Sequence, residues 1–249
     1  MVILKLPDEI EKARASNQIV AEVLSRLREK VKPGVTTREL NKLAEEVTEK
    51  RGAKPAFKGY RGFPYSLCTS VNEQVVHGMP SERILVEGDI IGIDFGVYHH
   101  GFFGDATITL PVGKVSKKAI KLMQITEQSL YAAIEQVRAG NRLGDISAAV
   151  QGEVEVAGFS VVRDYVGHGV GKNLHEDPQI PNFGKKGRGV ELKTGMILAI
   201  EPMVNEGGYK VRVLPDGWTV VTEDGSLSAH FEHSVAITDN RPDILSKLN

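Results

Sequence analysis

The amino-acid sequence predicts an α+β fold built from two related halves around a mainly antiparallel sheet. Three observations lead there. Segments with helical periodicity come in two pairs, one pair early in each half. Each pair is followed by short apolar runs of strand character. Residues in the two halves also match at a near-constant spacing of 106 to 107 positions.

The first helix is expected over residues 9–31, where Val20, Leu24, Leu27 and Val31 fall on one face. Thr36 with Glu39 reads as a capping box for a second helix carrying Leu40, Leu43, Ala44 and Val47, with Gly52 as its stop. A third helix starts near Ser116 and runs to about Arg138. A fourth carries Leu143, Ile146, Val150 and Val154 and stops at Gly158. At a spacing of 106, Val31-Lys-Pro-Gly34 matches Val137-Arg-Ala-Gly140, Leu40 matches Ile146, and Gly52 matches Gly158. At a spacing of 107, Glu87-Gly-Asp-Ile-Ile-Gly-Ile-Asp94 matches Thr194-Gly-Met-Ile-Leu-Ala-Ile-Glu201, and both copies end an apolar strand in a carboxylate. Two halves, about 1–113 and 114–249, are therefore expected to pack about a pseudo-two-fold axis as one catalytic domain spanning 1–249, with the helix pairs on one sheet face.

Composition narrows the function. The net charge is −1 and no long basic run occurs, which argues against nucleic acid or an anionic membrane as partner. The N-terminus turns acidic by residue 8, and the best apolar run, Met196 to Ile200, ends at Glu201, so neither a signal peptide nor a membrane span is expected. A single cysteine, Cys68, rules out an internal disulfide and fits a reducing, cytoplasmic setting.

The chemistry lies in carboxylates placed where a core belongs. Asp94 and Asp105 flank Tyr98-His-His-Gly101, a hairpin turn whose midpoint is also theirs, so the two acids are expected directly opposite one another unless a bulge intervenes. Opposed Cβ atoms lie roughly 5 Å apart, and like charges there need a shared proton or a cation. Glu201 ends the strand Met196–Ile200, and Glu232 sits within a later apolar strand. His168 lies between glycines in Tyr165-Val-Gly-His-Gly-Val-Gly171, a backbone that permits close approach by a ligating imidazole. Asp94, Asp105, His168, Glu201 and Glu232 make an oxygen-rich set with one nitrogen, suited to Mn, Fe, Co or Zn in a binuclear site. His-Glu-x-x-His, Walker and Gly-x-Ser-x-Gly motifs are all missing.

Ser70-Val-Asn-Glu-Gln-Val-Val-His-Gly-Met-Pro80, Gly101-Phe-Phe-Gly-Asp105, His175-Glu-Asp-Pro178, Ala199-Ile-Glu-Pro-Met203 and Ser226-Leu-Ser-Ala-His-Phe-Glu-His233 complete the picture. With these segments the chain resembles the type 1 methionine aminopeptidases over its full length. The resemblance implies the pita-bread fold and removal of N-terminal methionine from peptides and nascent proteins. It implies that Asp94 serves one metal, His168 and Glu201 the other, and that Asp105 and Glu232 bridge both. His77 and His175 match substrate-facing histidines, and Glu201 the catalytic base. Tyr60, Phe63, Cys68 and Trp218 match pocket positions, and Leu174 stands where many relatives have an aromatic residue. Backbone carbonyls of Asn72, Gln74 and Ser228 match a monovalent cation site. Monomeric state is the family expectation, and ribosome association suits an enzyme of nascent chains. His99, His100 and His233 are read as structural or exposed, and His230 receives no role.

Two other readings stay open: an X-Pro aminopeptidase or prolidase-like enzyme, and a dead pita-bread module that binds peptides. Against the former, the first helix begins by residue 9, before an extra N-terminal domain would fit. Against the latter, all five ligands are present. The 31 positions between Glu201 and Glu232 leave no room for the helical insert of type 2 enzymes.

Overall fold

A computed structural model describes residues 2–239 and 241–247. Among these residues the chain opens with helix α1 (Pro7–Lys30) and helix α2 (Thr37–Lys50). The capping box at α2 forms as expected. Thr36 Oγ1 accepts from the Glu39 N–H at 3.2 Å, and the Glu39 carboxylate accepts from the Thr36 N–H at 2.7 Å. Strands β1 (Lys54–Pro55), β2 (Cys68–Val71) and β3 (Gln74–Val76) lead to a long hairpin of β4 (Ile90–His99) and β5 (Phe102–Pro111).

The second half repeats the order with α3 (Lys117–Ile134) and α4 (Leu143–Val156). Helix α3 stops short of the expected Arg138. Its last turn tightens into bonds from Gln136 N to Ala133 O and from Val137 N to Ile134 O, which close the helix early. Strands β6 (Ser160–Val161), β7 (Gly167–Gly169), β8 (Glu176–Ile180) and β9 (Ile197–Ile200) follow. Next come β10 (Met203–Asn205), β11 (Val211–Val213), β12 (Val220–Thr222), β13 (Ser228–His230), β14 (Glu232–Ile237) and β15 (Pro242–Ile244).

Among the described residues a nine-stranded sheet runs β1-β4-β5-β14-β9-β7-β8, with β2 added beside β4 and β15 beside β14. Every pairing in it is antiparallel. The halves join where β5 meets β14, with Thr107 opposite Glu232. One sheet therefore crosses the boundary between them.

Alternation along the strands decides which side chains face the site. On β4, Ile91, Ile93, Phe95 and Val97 pack under α1 and α2 with Val20, Leu24, Leu27 and Leu40. That sends Asp94 to the opposite face. In the second half Leu198, Ile200 and Val235 pack with Leu122, Leu130, Ile146 and Val150 of α3 and α4. Gly104 on β5 lets α1 come close, because a Cβ there would lie 2.7 Å from the Asn17 backbone nitrogen. At that approach the Asn17 side-chain oxygen accepts from the Asp105 N–H at 3.2 Å. From the other side, Ser234 Oγ donates to the Asp105 carbonyl at 2.8 Å. Asp105 is thereby gripped by both α1 and β14.

The hairpin register differs from expectation. The turn is the two-residue His100-Gly101, with φ of +48° and +86°, and His99 pairs with Phe102. Asp94 lies opposite Thr107 and Asp105 opposite Gly96. The acids are diagonal neighbours, not directly opposed. An even displacement keeps both on one face, so the expected convergence survives the shift.

Candidate metal centre

Five donor side chains meet on the sheet face turned away from the helices. Asp94 and Asp105 come from β4 and β5, His168 from β7, Glu201 follows β9, and Glu232 begins β14. All five line one cavity of about 400 Å³. Ligand atoms of Asp105, His168 and Glu232 lie within 4.8 Å of one another. His168 Nε2 is 3.9 Å from Asp105 Oδ2 and 3.6 Å from Glu201 Oε1.

The imidazole geometry fixes its chemistry. His168 Nδ1 lies 2.8 Å from the Gly169 carbonyl, which can only accept, so Nδ1 carries the proton. Burial pushes the His168 pKa down to about 4, leaving the ring neutral at pH 7. Nε2 then presents a lone pair to two carboxylates. These contacts are not ion pairs, and a cation between the groups relieves them.

The acids point the same way. Burial raises the Asp94 pKa. Burial first, then Glu232, Asp94 and Glu201, hold the Asp105 carboxyl well above the usual carboxylate range. Burial and Asp94 raise Glu201, and burial with Glu201 and Asp94 raises Glu232. Among the described residues Asp94 Oδ1, Asp105 Oδ1 and Glu232 Oε1 are buried without a hydrogen bond, a costly state for a polar atom. Unpaired oxygens, crowded acids and an aimed imidazole lone pair fit a divalent cation. Thr107 Oγ1 steadies the set by donating to Glu232 Oε2 at 2.9 Å.

The expected pocket residues line the same cavity. Phe63, Cys68 and Leu174 form a buried apolar cluster with Phe57, and Tyr60 and Trp218 pack against it. The Phe63 and Trp218 rings meet edge to face at 5.1 Å. Leu174 is a buried wall of this cluster even without an aromatic ring. Burial holds the Cys68 thiol well above its usual pKa, which keeps it protonated and non-nucleophilic. The His77 ring stands 6.2 Å from Trp218 and 5.7 Å from Tyr165. His175 Nδ1 shares a 2.9 Å hydrogen bond with the Tyr60 hydroxyl, and its ring centroid is 4.2 Å from that of His168. Burial pushes His77 to about 4; burial with His168 and Arg61 pushes His175 to about 3.

Residues 11–239 match metallopeptidase family M24. The methionine aminopeptidase of Clostridium perfringens is 56% identical over 246 residues, covering 99% of each chain. The crystal structure of methionine aminopeptidase from Thermotoga maritima superposes with a TM-score of 0.98 at 49% identity, covering 99% of this chain and 100% of that one. The chain belongs to the methionine aminopeptidases of family M24.

The architecture above is the pita-bread fold, and the chain is a metal-dependent hydrolase of that family. The prolidase of Pyrococcus furiosus shares the fold alone, with a TM-score of 0.81 at 23% identity over 99% of this chain and 66% of that one. Sequence reasoning missed His230, Phe57, Arg61 and Tyr165, which also line the cavity. His230 had a signal: it lies two residues before Glu232, the spacing that returns a strand to one face. His233 faces the other way, with Nδ1 bonded to Ser246 Oγ at 2.8 Å, and the His99 and His100 rings meet at a 48° tilt at the turn. Asn72 and Ser228 are joined by a 2.9 Å bond from the Ser228 N–H to the Asn72 carbonyl, and Gln74 begins the neighbouring β3.

Proposed function

We propose that this chain removes methionine from the N-termini of new proteins and peptides by metal-assisted amide hydrolysis. The observation that carries the reading is the meeting, in one cavity, of five candidate metal donors, of which Asp105, His168 and Glu232 are buried, with an apolar pocket. Asp94 would hold one divalent ion, His168 and Glu201 a second, and Asp105 and Glu232 would lie between the two. Manganese, cobalt, iron and zinc all suit these donors. When bound, the ions supply Lewis acidity that activates water near neutral pH and polarises the scissile carbonyl.

The protein's own groups do the rest. Glu201 accepts the proton of the attacking water and returns it to the leaving amine. His77 and His175, neutral at pH 7, donate a hydrogen bond toward the carbonyl oxygen as charge develops there. Tyr60, Phe63, Cys68, Leu174 and Trp218 enclose the unbranched thioether, with roughly 25 cal/mol gained per Å² of apolar surface buried. The carbonyls of Asn72, Gln74 and Ser228 would hold a monovalent cation. The two halves act as a single catalytic domain. The lone thiol Cys68 suits the cytoplasm, where a monomer would meet chains leaving the ribosome.

The test uses protein stripped of metal and reloaded separately with manganese, cobalt, iron or zinc. Methionine should be released from Met-Ala-Ser, while Xaa-Pro peptides stay intact. Cleavage confined to Xaa-Pro substrates, or none with any metal, would overturn the reading.

A further inference from the structure

His230 is buried, lines the cavity and lies outside the five-donor set. Its Nε2 is enclosed and makes no hydrogen bond among the described residues. That atom is 3.5 Å from Glu201 Oε2, while the other oxygen of the same carboxylate, Oε1, is 3.6 Å from His168 Nε2. Two imidazoles thus flank Glu201, one on each oxygen.

Their chemistry is opposite. His168 has given its proton to the Gly169 carbonyl contact, so it offers Oε1 a lone pair, and a divalent cation placed between them would join those two atoms. Among the described residues His230 Nδ1 has no carbonyl of that kind. Glu201 Oε2 faces Nε2, and a carboxylate oxygen accepts, which favours the proton on that nitrogen. One oxygen of Glu201 is therefore matched to a metal and the other to an N–H donor.

We propose that His230 is a positioning residue for Glu201: its Nε2–H closes the 3.5 Å approach to donate to Oε2 in the working enzyme and fixes the plane of the carboxylate. The inference rests on the role given above to Glu201 as metal ligand and proton acceptor. Without the tether the carboxylate rotates about its last bond, and Oε1 leaves the line toward His168. The bonded Oε2 keeps a second lone pair free for a proton. A partner of this kind typically changes activity or metal affinity 10- to 100-fold (order of magnitude) when removed.

The experiment compares wild type with His230→Leu, His230→Gln and His230→Asn. Glutamine carries an N–H donor to about the Nε2 position, and asparagine stops short of it. Wild type is first shown to release methionine from Met-Ala-Ser, which tests the underlying reading by itself. With that in hand, His230→Leu should lower kcat by about 10- to 100-fold with KM little changed. Calorimetric titration of its metal-free form with Mn²⁺ should show binding weakened by about tenfold. His230→Gln should keep most of both properties, and His230→Asn should resemble the leucine variant. If His230→Leu melts early, the glutamine and asparagine pair decides, since both are polar. Wild-type kcat and Mn²⁺ affinity in His230→Leu would overturn the proposal. So would equal damage in His230→Gln and His230→Asn.

Discussion

In the first half, the strand beside β4 sets Ser70 opposite Gly92. In the second, the strand beside β9 sets His168 opposite Ala199, which is 107 positions beyond Gly92. The same scaffold position thus bears a hydroxyl in one half and an imidazole in the other. The connections differ as well. β4 and β5 turn through two residues, whereas Ile200 and Glu232 are separated by β10 to β13 and Trp218. The repeated strands place the acids and, where the two copies diverge, the nitrogen donor, while the inserted segment adds Trp218 to the pocket. Duplication explains the metal centre, and departure from duplication explains what the centre acts on.

Asp105→Asn offers the strongest way to break this comparison. Asp105 sits in the first half yet shares a cluster with His168 and Glu232 of the second, so its loss should disable the whole site. Turnover of Met-Ala-Ser should fall by a factor on the order of 10³, with circular dichroism unchanged. A variant that keeps a tenth of wild-type activity would mean that the halves hold metal independently.

Trp218→Ala sharpens the other side of the comparison. It removes an apolar wall from the unrepeated segment, so KM for Met-Ala-Ser should rise by about tenfold. Metal affinity, measured by calorimetry, should stay as in wild type. Lost metal binding would show that the insertion also builds the centre.

The smallest effect is on stability. Asp105 has a raised pKa, so the folded chain keeps its proton at pH values where the unfolded chain has released it. Stability from this group therefore falls as pH climbs from about 4 through the raised value. Metal-free Asp105→Asn should melt roughly 3 °C above metal-free wild type at pH 7.5, and the gap should narrow toward pH 5. A gap that widens on acidification would contradict the crowding of acids described here.

Much of this was legible before the structure, and the exceptions have physical causes. Helical caps and spacing located all four helices, because Thr36, Glu39 and Ser116 advertise their ends. The four candidate acids stand out in the sequence because charge interrupts apolar strands, and His168 because glycines flank it; the structure brings all five into one cavity. The hairpin register was not legible. Histidine is an unusual first residue for a two-residue turn, where asparagine, aspartate or glycine normally adopts the positive φ. Centring the turn on four residues therefore shifted the pairing by two. His230 was passed over because a buried histidine near a ligand is commonly a packed one. Only its unbonded Nε2 beside Glu201 separates the two cases.

The hold on Asp105 has a consequence for how the molecule comes into being. Its carbonyl is fastened by Ser234, and Glu232, which shares its cluster, lies on the same strand β14 near the end of the chain. During synthesis the first half can form its hairpin early and still have no working centre. Catalytic competence arrives with one of the last strands to leave the ribosome, so a half-made copy is inert toward its neighbours.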